Sequence, residues 1–307
     1  MQVYKLRAGK HPIRLIDVTT FEYDTGKEKP WYQRPAQGSK GDPGSQFAIC
    51  PGCDNPIQLI GLYRRSAKTP HPYGRHTSRA VPGFNHFDPS VFSWCPYVKP
   101  RKHGKSDRRA KLDGVALSIL ETIATRFHHI ITMIENDAGI GISDKLARGM
   151  LETYLGERGY LYTGATLRNV PWMVAYFSNA QSLWGRSVGN NPALVTAIRE
   201  HIPAAVIDPE GRLQKGSEFY DVRFCFRDHQ QTLEDGALVE TTVFDVRDHR
   251  GRITYTQVVR FAPEAFEALE GNAISHRDER LLRVAADCLK AHLGSYSASL
   301  AVPVTEG

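Results

Sequence analysis

Cys50-Pro51-Gly52-Cys53 is the first place in this chain where side chains of a suitable type stand at a spacing that does chemistry. Two thiolates separated by two residues can share one tetrahedral ion, because the turn between them points both sulfurs inward. Pro51 and Gly52 suit such a turn and leave backbone amides free to hydrogen-bond the sulfurs. A redox role would require a helix to open behind the pair. Here Asp54-Asn55-Pro56 turns the chain into an apolar strand, Ile57–Tyr63. A second half-site must complete the set. Cys95 is the third ligand, and the fourth is a histidine: His76, His86 or His103. His76 is favoured because it follows the Gly74 turn, whereas His86 equally begins a short helix and His103 sits in a run of positive charge. Four protein ligands leave no position for water, so the expected ion, Zn²⁺, would be structural.

A knuckle that precedes a hairpin, with the remaining ligands arriving later, resembles a zinc-ribbon or treble-clef module. The likeness rests on Cys50, Cys53 and Cys95. It departs from the usual pattern in lacking a second close pair, since eighteen residues separate His76 from Cys95.

The same stretch is strongly basic. Residues 64–111 carry twelve Lys/Arg (Arg64, Arg65, Lys68, Arg75, Arg79, Lys99, Arg101, Lys102, Lys105, Arg108, Arg109 and Lys111) against Asp88 and Asp107 alone, a formal +10. The whole chain is only +6, so the other residues sum to −4, 27 basic against 31 acidic. A solvated face ordinarily mixes signs, and a concentrated cationic one suits a polyanion. Tyr63, Tyr73, Phe84, Trp94 and Tyr97 are interleaved with the cations. They could stack on unpaired bases or form the small core that a zinc module needs.

With 307 residues, 41% apolar and 23% charged, the chain can build a folded core. No window has the length and apolarity of a membrane span, and the first residues lack the apolar stretch of a secretory signal, so a cytoplasmic protein without membrane contact is expected. Five cysteines, three of them around one knuckle, argue against a disulfide framework. Cys225 and Cys288 read as small buried hydrophobes.

These residues must be positioned by the rest of the chain, for which the pattern gives an α+β fold in four parts. Residues 1–46 form a β arm (Val3–Leu6, Ile13–Val18) and a flexible loop. Residues 47–111 form the basic zinc module, with a short helix from Asp88-Pro89 delivering Cys95 and an exposed linker over Lys99–Lys111. Residues 112–203 are helical: Leu112, Val115, Ile119, Ile123, Phe127, Ile130 and Ile134 make one stripe. Further helices run over Ser143–Leu155, from Thr163 or Thr166 through Phe177 with Pro171 as a kink or a start, and from Asn191-Pro192 to His201. Residues 204–307 switch to period two (Tyr220, Val222, Phe224, Phe226; Val239, Thr241, Val243; Ile253, Tyr255, Gln257, Val259), an antiparallel meander followed by a C-terminal helix over 276–293.

Two alternatives compete with a nucleic-acid-binding accessory subunit of a larger protein complex. One is a divalent-metal nuclease using the strand carboxylates Asp221, Glu240 and Asp245, with Asp228-His229 and Asp248-His249 as further ligands. The Glu-x-Lys expected of such a site is absent, and no other catalytic motif is present, which favours a non-enzyme. The other is a protein-binding scaffold. A helix-turn-helix, with Thr163, Thr166, Arg168 and Asn169 heading the reader, is a weaker variant of the first reading because its connection is too long.

Overall fold

Asp17 accepts a hydrogen bond from Thr20 N at 2.9 Å and so starts a helix where the apolar run Ile13–Val18 suggests strand. What remains of the expected β arm is β1 (Val3–Tyr4) paired antiparallel with β2 (Arg14–Leu15), followed by α1 (Val18–Thr25). The computed structural model describes residues 1–9, 12–33, 44–65, 70–99, 102–112, 114–202, 204–214, 221–234 and 237–294. Most of the expected flexible loop, together with Lys68, Arg101 and Tyr220, lies outside them.

A four-stranded antiparallel sheet carries the metal module, in the order β3 (Tyr32–Gln33), β4 (Ser45–Ile49), β5 (Pro56–Ile60) and β6 (Tyr73–His76). The β4–β5 hairpin turns through the knuckle, closed by Cys50 N to Asn55 O at 2.9 Å and Asp54 N to Cys50 O at 3.0 Å. Asp54 at the hairpin's end has φ +60°. α2 (Pro89–Trp94) begins where Asp88 caps Ser90 N and Val91 N, with Pro89 in the first turn.

The body is built on α3 (Gly114–Ala138), whose stripe Val115, Ile119, Ile123, Phe127, Ile130 and Ile134 is buried throughout. Arg126 leaves helical geometry (φ −133°, ψ 22°), and its buried guanidinium donates to Glu267 and to the Phe266 carbonyl. α4 (Asp144–Gly156) is capped by Ser143. α5 (Val170–Phe177) has Pro171 in its first turn, so the proline starts this helix rather than kinking it. Then come β7 (Gln181–Ser182), α6 (Pro192–His201) and the small pair β8 (Val206–Ile207) and β9 (Leu213–Gln214).

The meander is β10 (Arg223–Glu234), β11 (Ala237–Arg247) and β12 (Ile253–Arg260), in a sheet ordered β12-β11-β10-β7. α7 (Pro263–Ala268) and α8 (His276–Leu293) follow, and α8 packs against α3 and α4. The molecule is therefore α+β, combining helices with antiparallel sheets.

α5 sits between α3, α4 and β10, and all eight of its residues are buried. Thr163, Thr166, Arg168 and Asn169 ahead of it are between 0 and 8% exposed. A recognition helix must present that end to a groove, so the helix-turn-helix alternative is excluded. Among the described residues, no helix is long and apolar enough to cross a membrane.

Candidate metal centre

Three elements converge on one point. The β4–β5 turn brings Cys50 and Cys53, the end of β6 brings His76 in register with Ile57, and the C-terminus of α2 brings Cys95. Their ligand atoms all lie within 4.8 Å of one another, a group that could hold a metal ion. Cys50 Sγ and Cys95 Sγ are 3.6 Å apart, and Cys53 Sγ is 3.3 Å from His76 Nε2. A tetrahedral centre with metal–sulfur bonds of about 2.3 Å and metal–nitrogen bonds of about 2.0 Å spaces its ligands at about 3.8 and 3.5 Å, so the donor set fits with small adjustments.

Burial raises the thiol pKa of Cys53 and Cys95; that of Cys50 is lowered, its own burial outweighed by hydrogen bonding from those two neighbours. Holding all three sulfurs as thiolates together takes a cation between them. Among the described residues the group holds four ligand atoms and no fifth.

The support around the ligands is specific. Gly52 N donates to Cys50 Sγ at 3.4 Å, and Asn55 Nδ2 donates to Cys53 Sγ at 3.6 Å. Asn55 also clamps the backbone of Asp88, donating to its carbonyl at 2.9 Å and accepting from its N–H at 2.7 Å. Because Asp88 caps α2, a single side chain ties the knuckle to the helix that delivers Cys95. Lys5, only 2% exposed, forms an ion pair with Asp54 beside Cys53 and donates to Gly9 O at 2.6 Å, which anchors the N-terminal arm. The Phe92 ring meets His76 edge-on at 5.4 Å.

His86 and His103 take no part. His86 lies beside Gly114 at the start of α3. His103 is 7% exposed; its Nδ1 meets Thr163 Oγ1 at 2.9 Å and its Nε2 meets Gln231 Oε1 at 3.1 Å. The segment expected to be an exposed linker is instead a strap laid on the helical body. Arg109 N donates to Leu161 O and Thr163 N to Asp107 O, at 2.7 and 3.2 Å.

That strap divides the cations. Arg109 is 7% exposed and donates to the Ala165 carbonyl, so it faces no polyanion. Arg108 donates twice to the Glu157 carbonyl and lies over Phe177, and Lys105 Nζ lies over the Tyr176 and Phe177 rings. Arg64, Arg65, Arg75, Arg79, Lys99, Lys102 and Lys111 are exposed.

The nuclease carboxylates do not converge. Glu240 and Asp245 stand five residues apart on β11 and so point to opposite faces of the sheet. Asp245 is neutralised by Arg227 and Arg247 and accepts from Thr256 Oγ1 at 2.8 Å. Asp221 pairs with Arg223. Asp228 occupies a bulge at φ +56°, and Asp248 is a turn residue accepting from Arg250 N and Arg252 N. Among the described residues, the Cys50–Cys53–His76–Cys95 group is the only His/Cys/Asp/Glu cluster close enough to hold an ion.

Glu240 belongs instead to a buried network that sequence reasoning missed. Its Oε1 accepts from His229 Nε2 at 3.2 Å, Gln231 Nε2 at 2.8 Å and Asn169 Nδ2 at 2.8 Å. His229 Nδ1 reaches the Tyr162 hydroxyl at 3.2 Å. The available signal was three polar residues at inward-facing strand positions, His229, Gln231 and Glu240, where a core-facing side chain should be apolar. Cys288 is buried on α8 as expected, but Cys225 is half-buried and lies in register with Asp245 on the outer face of the sheet. The chain matches no protein-family model, no curated protein and no solved structure.

Proposed function

We propose that this protein binds nucleic acid through a cationic face carried by a zinc-held module. The supporting observation is electrostatic. Arg65, Arg75, Arg79, Lys99, Lys102 and Lys111 are exposed, and none pairs with a carboxylate of a described residue. Several exposed arginines elsewhere are matched, as in Arg223–Asp221, Arg252–Asp248 and Arg260–Glu234, although Arg158, Arg199, Arg250 and Arg283 have no carboxylate partner among the described residues. Unmatched cations are what a phosphate backbone requires, because binding then displaces counterions rather than breaking internal pairs. On the edge strand β6, Tyr73 and Arg75 project from the face opposite His76, a stacking group beside a phosphate contact.

Zn²⁺ is the ion this reading assigns to the cluster, since three sulfurs and one imidazole in a closed tetrahedral set suit it best. In that role the ion supplies folding energy and fixes the hairpin, β6 and α2 relative to one another. Free cysteines with no disulfide agree with a reducing, cytoplasmic setting. The accessory-subunit role draws support from the sheet edge β12, where Val258 is 67% exposed and Ile253 48%, a surface suited to a protein neighbour.

The test is fluorescence anisotropy with labelled single- and double-stranded DNA and RNA between about 50 and about 200 mM salt. Binding should weaken steeply with salt and be lost in the triple variant Arg65→Glu, Arg75→Glu, Arg79→Glu. No binding at the low-salt end, or binding indifferent to the triple variant, overturns the proposal. A salt-insensitive protein complex purified without nucleic acid would point to the scaffold reading instead.

A further inference from the structure

A cleft runs between the β1–β2 hairpin and the body. Its outer part has a volume of about 820 Å³ and its inner chamber about 270 Å³, and the two share Val3, Leu15, Arg168, Pro263 and Glu264 as walls. The outer part alone is in the range of small-molecule sites, about 300–1,000 Å³. The inner chamber brings together two charged groups that are each more than nine-tenths buried. Arg168 is 8% exposed, donates through Nη1 to the Tyr97 hydroxyl at 2.7 Å and pairs through Nη2 with Glu264. Glu240 is 4% exposed, and all three donors described above fall on its Oε1, so its Oε2 takes no hydrogen bond from a described residue. That oxygen remains accessible from the chamber, where a donor on a bound molecule can complete its hydrogen bonding in place of water.

The charges restrict what that molecule is. A phosphate in the chamber would face Glu240 and Glu264, and a bare cation would face Arg168 and Arg260. A neutral group offering an acceptor to the guanidinium and a donor to the carboxylate on one edge meets neither conflict. Val3, Leu15, Val239 and Phe261 supply apolar walls for its body. Guanine has this edge: O6 is an acceptor, and N1–H and N2–H lie next to it as donors that can converge on one carboxylate oxygen. Bases of unpaired strands are read along such edges.

We propose that this cleft binds a guanine base, with O6 toward Arg168 and the N–H edge toward Glu240. As a pocket for a base of a bound strand, the proposal rests on the nucleic-acid reading above. Tyr97 links it to the metal module. It lies two residues after Cys95, with its ring packed so close to Gly52 that a Cβ there would stand 3.2 Å from it, and its hydroxyl holds Arg168 at the chamber.

Isothermal titration of the metal-loaded full chain with guanosine, adenosine, cytidine and uridine tests it, the uncharged nucleosides keeping phosphate contacts out of the reading. Guanosine should bind saturably and at least about tenfold more tightly than the others. Glu240→Gln keeps an acceptor for the three internal donors but turns an N–H₂ toward the ligand, so it should erase the preference. Leu15→Asp, at a position 68% exposed, should weaken guanosine without disturbing the core. Equal binding of the four nucleosides, no binding, or a preference unchanged in both variants overturns the pocket. If oligonucleotides bind while guanosine does not, the pocket falls and the cationic face stands. If guanosine binds selectively while oligonucleotides do not bind at low salt, the strand-binding reading falls and the cleft stands as a site for free guanine nucleosides.

Discussion

The metal module and the helix–sheet body are held together by different physics. The body has a large apolar core: α5 is buried on every side, Trp172 stacks on Phe261 at 4.6 Å, and Phe244 packs against Phe224 and Phe226. Its polar interior is a hydrogen-bonded network on Glu240 Oε1 rather than a metal site. The module has strands of two to five residues, and its buried Ala48, Ile57, Leu59, Leu62 and Val91 form the small end of a hydrophobic cluster continuous with the body. A β-hairpin, an edge strand and a six-residue helix with so few apolar residues of their own would gain much from a metal staple at the Cys50–Cys53–His76–Cys95 cluster. Charge is distributed differently as well: the body pairs many of its arginines with carboxylates, among them Arg126, Arg227, Arg247 and Arg277, whereas Arg65, Arg75, Arg79, Lys99, Lys102 and Lys111 are exposed cations with no carboxylate partner among the described residues.

The largest test of this contrast is Cys50→Ser with Cys53→Ser. Under the proposed function, a structural zinc at this cluster would contribute on the order of 10 kcal/mol, far more than any other single interaction in the module. Hydrogen exchange should collapse over β4–β6 and α2 while α5 and β11 stay protected, and elemental analysis should lose the metal. Uniform protection in the double variant would show that the module does not depend on its ion. The converse variant is Trp172→Ala. It should cost about 3–5 kcal/mol and lower the melting temperature of the body, without lowering the metal content of the folded protein.

How much of this was legible in advance follows the same division. The ligand set was readable because Cys-x-x-Cys before a strand has few other uses; His76 was picked for a turn at Gly74 that is not there, since Gly74 lies within β6 opposite Leu59 and the strand itself delivers the imidazole. The helices over 114–138 and 144–156 followed from apolar spacing and from Ser143. α1 and α7 were not read. Asp17 before Val18 and Pro263-Glu264 after the meander were usable start signals, but both helices are too short to show a period. The strap over 102–112 was hidden for a physical reason. Its run of charge reads as solvated, and only tertiary neighbours, Thr163 and Gln231 around His103 and the Ala165 carbonyl at Arg109, reveal that it is pinned down. The cleft was equally invisible, since it forms from segments as distant as Val3, Arg168 and Glu240.

Acid should separate the two regions next. Burial raises the Glu240 pKa, but the hydrogen bonds from His229, Gln231 and Asn169 outweigh it, and the net shift is downward. A carboxylate with a depressed folded pKa stabilises in full above its unfolded value, about pH 4.3, and that contribution is lost as pH falls through the lower folded value. The body should therefore weaken on acidification below about pH 4.3, and Glu240→Gln should flatten the dependence in a urea titration at several pH values. An identical acid slope in variant and parent would remove Glu240 from the account. On the module side the comparable probe is Asn55→Ala. Loss of a support of this kind costs about 10–100-fold in metal affinity, measured by competition with a chelator, and the body's melting temperature should not move.

The smallest effects bear on charge, and they come as a pair of single substitutions. Arg75 is exposed on the β6 edge and bonds only the neutral Gln58 side chain, at 3.3 Å. Arg260 is similarly exposed on β12 but pairs with Glu234 at 3.0 Å. Neither side chain holds up its fold, and Arg260→Ala removes an exposed pair expected to contribute less than about 0.5 kcal/mol. What should differ is the response to polyanion. Arg75→Ala removes a cation whose counterion is free to be displaced, and should reduce the slope of log affinity against log salt by about 1. Arg260→Ala leaves Glu234 exposed and should leave that slope unchanged. Equal slopes in the two variants would mean that internal pairing does not decide which cations are available, and the distinction between paired and unpaired surface arginines would lose its functional meaning.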